Sequence, residues 1–208
     1  MLYGNSKVRK ECKSLYVSRL DFRGTCCGIN HRNGLSMKKK ITPINHERVL
    51  KEGDFVVSKT DTKGRITYCN EIFLELSGYQ EEELLGAQHN IIRHPDMPRG
   101  VFHFLWVTIK QGNECFAYVK NMAKDGSYYW VFANITPDFD SNGQISGYFS
   151  VRRHPKPEAV ALMSGIYKAM LEEEQRVGPR DAIDASLALL TNKLAELDIS
   201  YEEFILSI

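Results

Sequence analysis

Two tight-turn signals, Lys124-Asp125-Gly126 and Asp140-Ser141-Asn142-Gly143, constrain the fold more than any other feature of this sequence. Around them lie three runs rich in β-branched and aromatic residues: Phe116 to Met122, Tyr128 to Thr136 and Ile145 to Arg152. Connections this short join antiparallel neighbours, so the runs predict a meander of three strands. In the middle run Tyr128, Trp130, Phe132 and Asn134 fall on one face. Upstream, Phe55 to Asp61 and Arg65 to Asn70 predict a further hairpin, turned between Asp61 and Gly64.

The stretch between these strand groups has a helical period. Asn70 is placed to cap a helix that turns Phe73, Leu74 and Leu76 inward and stops at Gly78. Glu81 to Leu85 is one short turn before Gly86. Val101, Phe102, Leu105, Trp106 and Ile109 recur at helical spacing, which predicts an amphipathic helix from Pro98 to Lys110. Strand, strand, short helices, then three strands is the order of an α+β domain. The expected fold is a five-stranded antiparallel sheet with short helices on one face.

One polar segment stands out in this frame: His89-Asn90-Ile91-Ile92-Arg93-His94-Pro95-Asp96-Met97-Pro98. It gathers a fixed cation, two imidazoles, a carboxylate and an amide, and its two prolines restrict the backbone after Arg93-His94. Such groups are costly to bury unless an anion or a polar ring system partners them. Otherwise the segment is a solvated turn between helices.

The block from 54 to 153 resembles a PAS domain of the aerotaxis-receptor type. The resemblance is carried by Asp61 with Gly64-Arg65-Ile66-Thr67-Tyr68-Cys69-Asn70, by Ser77-Gly78-Tyr79, and by His89-Asn90 through Pro98. It continues in Val119-Lys120-Asn121, Lys124-Asp125-Gly126, Tyr129-Trp130-Val131, Ala133-Asn134, Gly147-Tyr148 and Ser150-Val151-Arg152. It implies a PAS fold, non-covalent FAD, and a redox or energy sensor for chemotaxis. The residues beyond 156 are similar to those of stand-alone PAS proteins in bipartite bacterial energy-taxis systems. There, a separate methyl-accepting chemoreceptor or another signalling protein carries the output.

The resemblance and the needs of a flavin together name the candidate ligand residues. A flavin needs an apolar slot, donors and acceptors at the ring edge, and cationic or amide partners for its pyrophosphate. Trp106 is expected to wall the slot. Asn121 and Asn134, on adjacent strands, are expected to face one cavity as amide partners. Arg93 is the expected partner of a pyrophosphate or ring carbonyl, and His89 and His94 are candidate donors. Asn90 and Asn70 complete the set, and Asp96 is expected to orient Arg93 or His94. Aerotaxis receptors commonly carry tryptophan where Cys115 stands, with Phe116 as an imperfect replacement. The helix cysteine of blue-light flavin-adduct domains is missing from Ile91 to Asp96. Two alternatives stay open: a cofactor-free PAS interaction module, and a haem-binding PAS sensor with His103 as axial ligand.

The net charge of +1 and the lack of an aromatic-basic stripe argue against a nucleic-acid partner. No run of eighteen apolar residues predicts a membrane span, and no apolar N-terminal segment predicts a secretory signal. Five irregularly spaced cysteines suit a reducing cytoplasm. Membrane association is expected only through a receptor partner, and a homodimer is left open. No nucleophile–base pair or phosphate loop predicts catalysis, so a non-enzymatic role is expected.

Three segments follow from these patterns. Residues 1–40, with ten Lys/Arg against two acids, are expected to be a basic arm without fixed structure, the first 36 of them dispensable. Cys12, Cys26, Cys27 and His31 lack metal-site spacing. Residues 41–155 are the expected sensor domain, and 156–208 a helical region. In that region Ala159, Leu162, Met163, Ile166, Tyr167 and Met170 form one apolar stripe, broken at Gly178-Pro179. Ala182, Ile183, Leu187, Leu190, Leu194 and Leu197 form another, and Ser200-x-x-Glu203 opens a last helix. The stripes either pack back on the sheet or serve as a partner surface.

Overall fold

The computed structural model describes residues 41–208, and the expected basic arm lies outside the described residues. The order is β1 (Val56–Asp61), β2 (Ile66–Cys69), α1 (Glu71–Ser77), α2 (Glu81–Leu84), a 3-10 turn (His89–Ile92), α3 (Arg99–Lys110), β3 (Cys115–Met122), β4 (Tyr128–Phe139) and β5 (Ile145–Arg153). Then come α4 (Pro157–Val177), α5 (Ala182–Glu196) and α6 (Tyr201–Ser207). The strands form one antiparallel sheet in the order β2-β1-β5-β4-β3.

The predicted signals act as expected at the element ends. Asn70 Oδ1 accepts from the amide of Phe73 at 3.2 Å, and Gly78 closes α1 with a left-handed φ of 70°. Asp61 Oδ1 accepts from the amides of Lys63 and Arg65, both at 2.9 Å, and so builds the β1–β2 turn. In the Ser200 capping box, Oγ accepts from the Glu203 amide at 3.1 Å and Glu203 Oε2 accepts from the Ser200 amide at 2.8 Å. Strand β4 runs on past its expected end at Thr136 and includes Pro137. Pairing with β3 stops at Ile135, so beyond it one side of β4 is free and a residue lacking an N–H fits.

Helices α1 to α3 lie on one face of the sheet. The other face, with Trp130 and Phe132, is covered by the chain's own C-terminal helices. Tyr167 of α4 stacks on Trp130 with ring centroids 6.3 Å apart, and α4 buries Ala159, Met163, Tyr167 and Met170. The short helices thus keep to one face as expected, and of the two roles left open for the Ala159–Met170 stripe the structure shows packing back on the sheet.

Edge strand β3 is also masked. Its Phe116 and Tyr118 carbonyls accept from the Tyr201 and Tyr167 hydroxyls at 2.9 and 2.8 Å. The Lys120 amide donates to Met97 Sδ at 3.3 Å, and Arg93 forms a β-bridge with Asn121. A covered edge cannot template strand addition by another chain. Among the described residues, no helix is long and apolar enough to cross a membrane.

Candidate functional site

Side-chain alternation turns one residue in two of each strand toward α3. From β1 these are Ser58 and Thr60; from β5, Tyr148, Ser150 and Arg152; from β4, Ala133 and Ile135; from β3, Val119 and Asn121. Together with α3 and the polar segment they enclose a cavity of about 360 Å³. Trp106, Leu105, Ile109 and Ile92 supply apolar wall. Trp106 meets Tyr148 edge-on, with centroids 5.4 Å apart and planes at 84°.

The deep end is polar. Arg152 is 4% exposed, and its Nη2 donates to Ser58 Oγ at 2.9 Å and to His89 Nε2 at 2.7 Å. Its guanidinium also lies over the Phe73 ring at 5.3 Å. A guanidinium only donates, so His89 Nε2 accepts and its proton sits on Nδ1. Burial first, and the Arg152 charge second, pull the His89 pKa down to about 3, so the ring is neutral. Burial likewise lowers Arg152, to about 10, which leaves it charged near neutral pH.

Three side-chain atoms in this cavity are buried without a hydrogen-bond partner among the described residues: Arg152 Nη1, Asn121 Nδ2 and Ser150 Oγ. Arg93, Arg99 and Arg152 all line the cavity, whereas none of its lining residues is Asp or Glu. Near the mouth Arg93 Nη2 donates to the Met97 carbonyl at 2.9 Å, and the guanidinium rests 4.4 Å from the Phe102 ring centroid. The site is thus an apolar slot with unsatisfied donors at its base and cations at its rim, a surface suited to an anionic or carbonyl-bearing ring compound.

Of the residues expected from sequence, His89, Asn90, Arg93, Trp106 and Asn121 line the cavity. The others do not. Asn70 spends its amide on the backbone: Oδ1 also accepts from Val57 N at 2.9 Å, and Nδ2 donates to the Phe55 carbonyl at 2.7 Å. His94 is 3% exposed but faces the edge of Tyr128, and its Nδ1 accepts from the Asp96 amide at 3.1 Å. Burial first, then Lys120, lowers its pKa, with Asp96 opposing. Asp96 is exposed; Oδ2 pairs with Lys120 at 2.7 Å and lies 3.4 Å from His94 Nδ1.

Asn134 is the clearest correction. It shares a parity with Phe132 and Trp130, so it sits on the sheet's other face, where Nδ2 donates to Glu114 at 2.8 Å. Phe116 shares that face and stacks on Phe132 at 5.9 Å, so it cannot replace the missing tryptophan beside the cavity. Cys115 is buried and its thiol is pushed up to about 12 by desolvation, which makes it inert rather than redox-active. His103 lines the cavity yet is exposed, a rim position poorly suited to an axial haem ligand. Ser58, Tyr148, Ser150 and Arg152 lie outside the expected set. Their signal was present: on a strand with one buried face, Tyr148, Ser150 and Arg152 alternate onto the same side.

Residues 66–152 match the family described as the PAS fold. This part of the chain is a PAS domain. The aerotaxis receptor of Escherichia coli (strain K12) is 41% identical over 121 residues, covering 58% of this chain and 24% of the receptor. A nitrogen fixation regulatory protein of Klebsiella pneumoniae is 28% identical over 105 residues, 50% of this chain and 21% of that protein. The chain thus spans a quarter or less of these two relatives. Among solved structures, the light state of the blue-light photoreceptor Aureochrome1 LOV superposes with a TM-score of 0.48 at 22% identity, covering 55% of this chain and 90% of that one. Of the polar base of the cavity, His89, Asn121, Ser150 and Arg152 fall within the matched residues, whereas Ser58 of β1 precedes them.

Proposed function

We propose that this chain is a flavin-binding PAS sensor, with FAD as its ligand, that reports redox or energy state to a separate signalling protein such as a methyl-accepting chemoreceptor. One observation carries the reading: the cavity between α3 and the sheet holds a buried, uncompensated guanidinium and two further unpartnered polar atoms, Asn121 Nδ2 and Ser150 Oγ, beneath apolar walls. A module without a ligand would bear the desolvation cost of all three. A cavity of about 360 Å³ lies at the small end of ligand sites, where about 300 Å³ is the lower bound, so it suits the ring system. The diphosphate and adenosine would then lie outward, toward Arg93 and Arg99. The choice of FAD rests on the aerotaxis-receptor resemblance.

A bound flavin would supply reversible electron transfer. The chain's own part is to hold and exclude. Arg152, Ser150 and Asn121 would anchor the polar ring edge, Trp106 and Ile109 would shield the ring from water, and neutral His89 would keep Arg152 aimed. The test is the absorbance spectrum of the purified full chain, followed by acid release and identification of the ligand. A flavin spectrum with released FAD is expected. A colourless protein that takes up no added flavin overturns the reading.

A further inference from the structure

The PAS cavity wall is fastened to the C-terminal helices through one buried carboxylate. Helix α3 begins at Arg99 behind Pro98, whose side chain offers no cap to its free amides. The missing acceptor comes from another element. Glu174, in α4 and 7% exposed, accepts from the Gly100 amide through Oε1 at 3.0 Å. The same oxygen accepts from the Ser186 hydroxyl of α5 at 2.8 Å, and Ser186 is fully buried. One oxygen thus joins α3, α4 and α5. Gly100 has no room for a side chain, because a Cβ there would run into Ser186.

The junction sits beside the cavity mouth. Arg99 Nη1 donates to the Pro179 carbonyl in the α4–α5 connection at 3.1 Å, and both Arg99 and Ile183 of α5 line the cavity. The Glu174 charge also favours the charged form of Arg93, against the desolvation that lowers it.

We propose that Glu174 is a positioning residue for the cavity, and that docking of the α4–α5 hairpin and filling of the cavity are one coupled event. A ligand in the cavity touches Ile183 and Arg99, and these take their places only when the hairpin is docked. The ligand therefore binds the docked state more tightly, and by linkage a docked hairpin raises ligand affinity by the same factor. The ligand half of this inference rests on the flavin reading; the capping half does not.

The test uses the full chain, ligand-stripped, as wild type, Glu174→Ala, Glu174→Gln and the surface control Glu172→Gln. Hydrogen exchange without ligand comes first. In Glu174→Ala, exchange should accelerate together in residues 99–103 and 182–196 while β4 keeps its protection; Glu174→Gln, which retains an acceptor, should recover much of it. With FAD added, wild type should gain protection in 182–196, and Glu174→Ala should lose that gain and bind FAD about tenfold more weakly. Unchanged exchange in Glu174→Ala, or an FAD affinity equal to wild type, overturns the inference. If wild type takes up no flavin, the flavin reading falls, and the ligand-free exchange alone decides for or against Glu174.

Discussion

Arg152 Nη2 lies 2.7 Å from His89 Nε2, a contact between a buried cation and an imidazole kept neutral first by its burial and second by that charge. Protonating His89 would set two positive charges against each other with no carboxylate among the cavity residues to offset them. The pair therefore links protonation to folding.

The sign of that link is fixed. Below about pH 6.5 an unfolded His89 takes up a proton that the folded one refuses until about pH 3. The contribution to stability is complete above the upper value and is lost progressively as pH falls toward the lower, with a slope of up to about 1.4 kcal/mol per pH unit. Urea unfolding of wild type and His89→Gln at pH 7 and at about pH 4.5 should show a smaller loss in the variant. Equal losses would mean that His89 is not buried neutral beside Arg152.

Replacing Arg152 separates fold from ligand. Ser58 Oγ lies 3.2 Å from His89 Nε2, so in Arg152→Met it can donate to the ring in place of the guanidinium. A buried charge without a carboxylate partner is removed, so stability of the ligand-free protein should stay within about 1 kcal/mol of wild type. Flavin affinity should fall about tenfold to a hundredfold, as expected for losing a charge-assisted hydrogen bond. Retention of wild-type affinity would remove Arg152 from the site.

Much of the fold was legible because it is written in local chemistry. Asn70, Gly78, the Asp61 turn and the Ser200 box each act within a few residues of themselves, and the structure uses them as the sequence predicts. The site was legible in part: His89, Asn90 and Arg93 come from one polar segment, Trp106 from the helical period of α3, and Asn121 from the resemblance. Its remainder depends on strand register, which no single strand encodes. Asn121 and Asn134 read alike in sequence, but pairing of Asn121 with Tyr129 and of Phe116 with Asn134 sends them to opposite faces. The Glu174–Gly100 contact was not legible, because 74 residues separate its partners.

That difference of face is testable. Asn121, 4% exposed and with an unpartnered amide nitrogen, should contribute to ligand binding, so Asn121→Ala should weaken flavin affinity about fivefold to twentyfold. Asn134→Ala removes only a contact to Glu114 on the far face and should leave affinity within about twofold, and stability within about 0.5 kcal/mol. Titration of both variants by flavin fluorescence quenching decides the matter. Equal losses would contradict the observed register.

Two glycines of similar backbone isolate the role of the Trp106 wall. Gly64 and Gly86 have φ of 75° and 77°, so alanine at either position costs about 1–2 kcal/mol for a left-handed backbone. Their surroundings differ. A Cβ on Gly64 would lie 2.9 Å from Trp106 Cη2 and 3.0 Å from Cζ2, whereas one on Gly86 meets nothing within 4 Å. Gly86→Ala should therefore lower Tm by the backbone cost alone, about 2–8 °C for a chain of this size. Gly64→Ala should lower it further, because the indole must move from its edge contact with Tyr148. It should also weaken flavin binding, since Trp106 lines the cavity, while Gly86→Ala leaves binding unchanged. Thermal melts and flavin titrations of the two variants side by side supply the comparison. If the two behaved alike in both measurements, the indole would have no part in shaping the cavity, and the apolar slot would have to be assigned to the rest of its apolar lining, Ile92, Leu105, Ile109, Val119 and Ile135 among them.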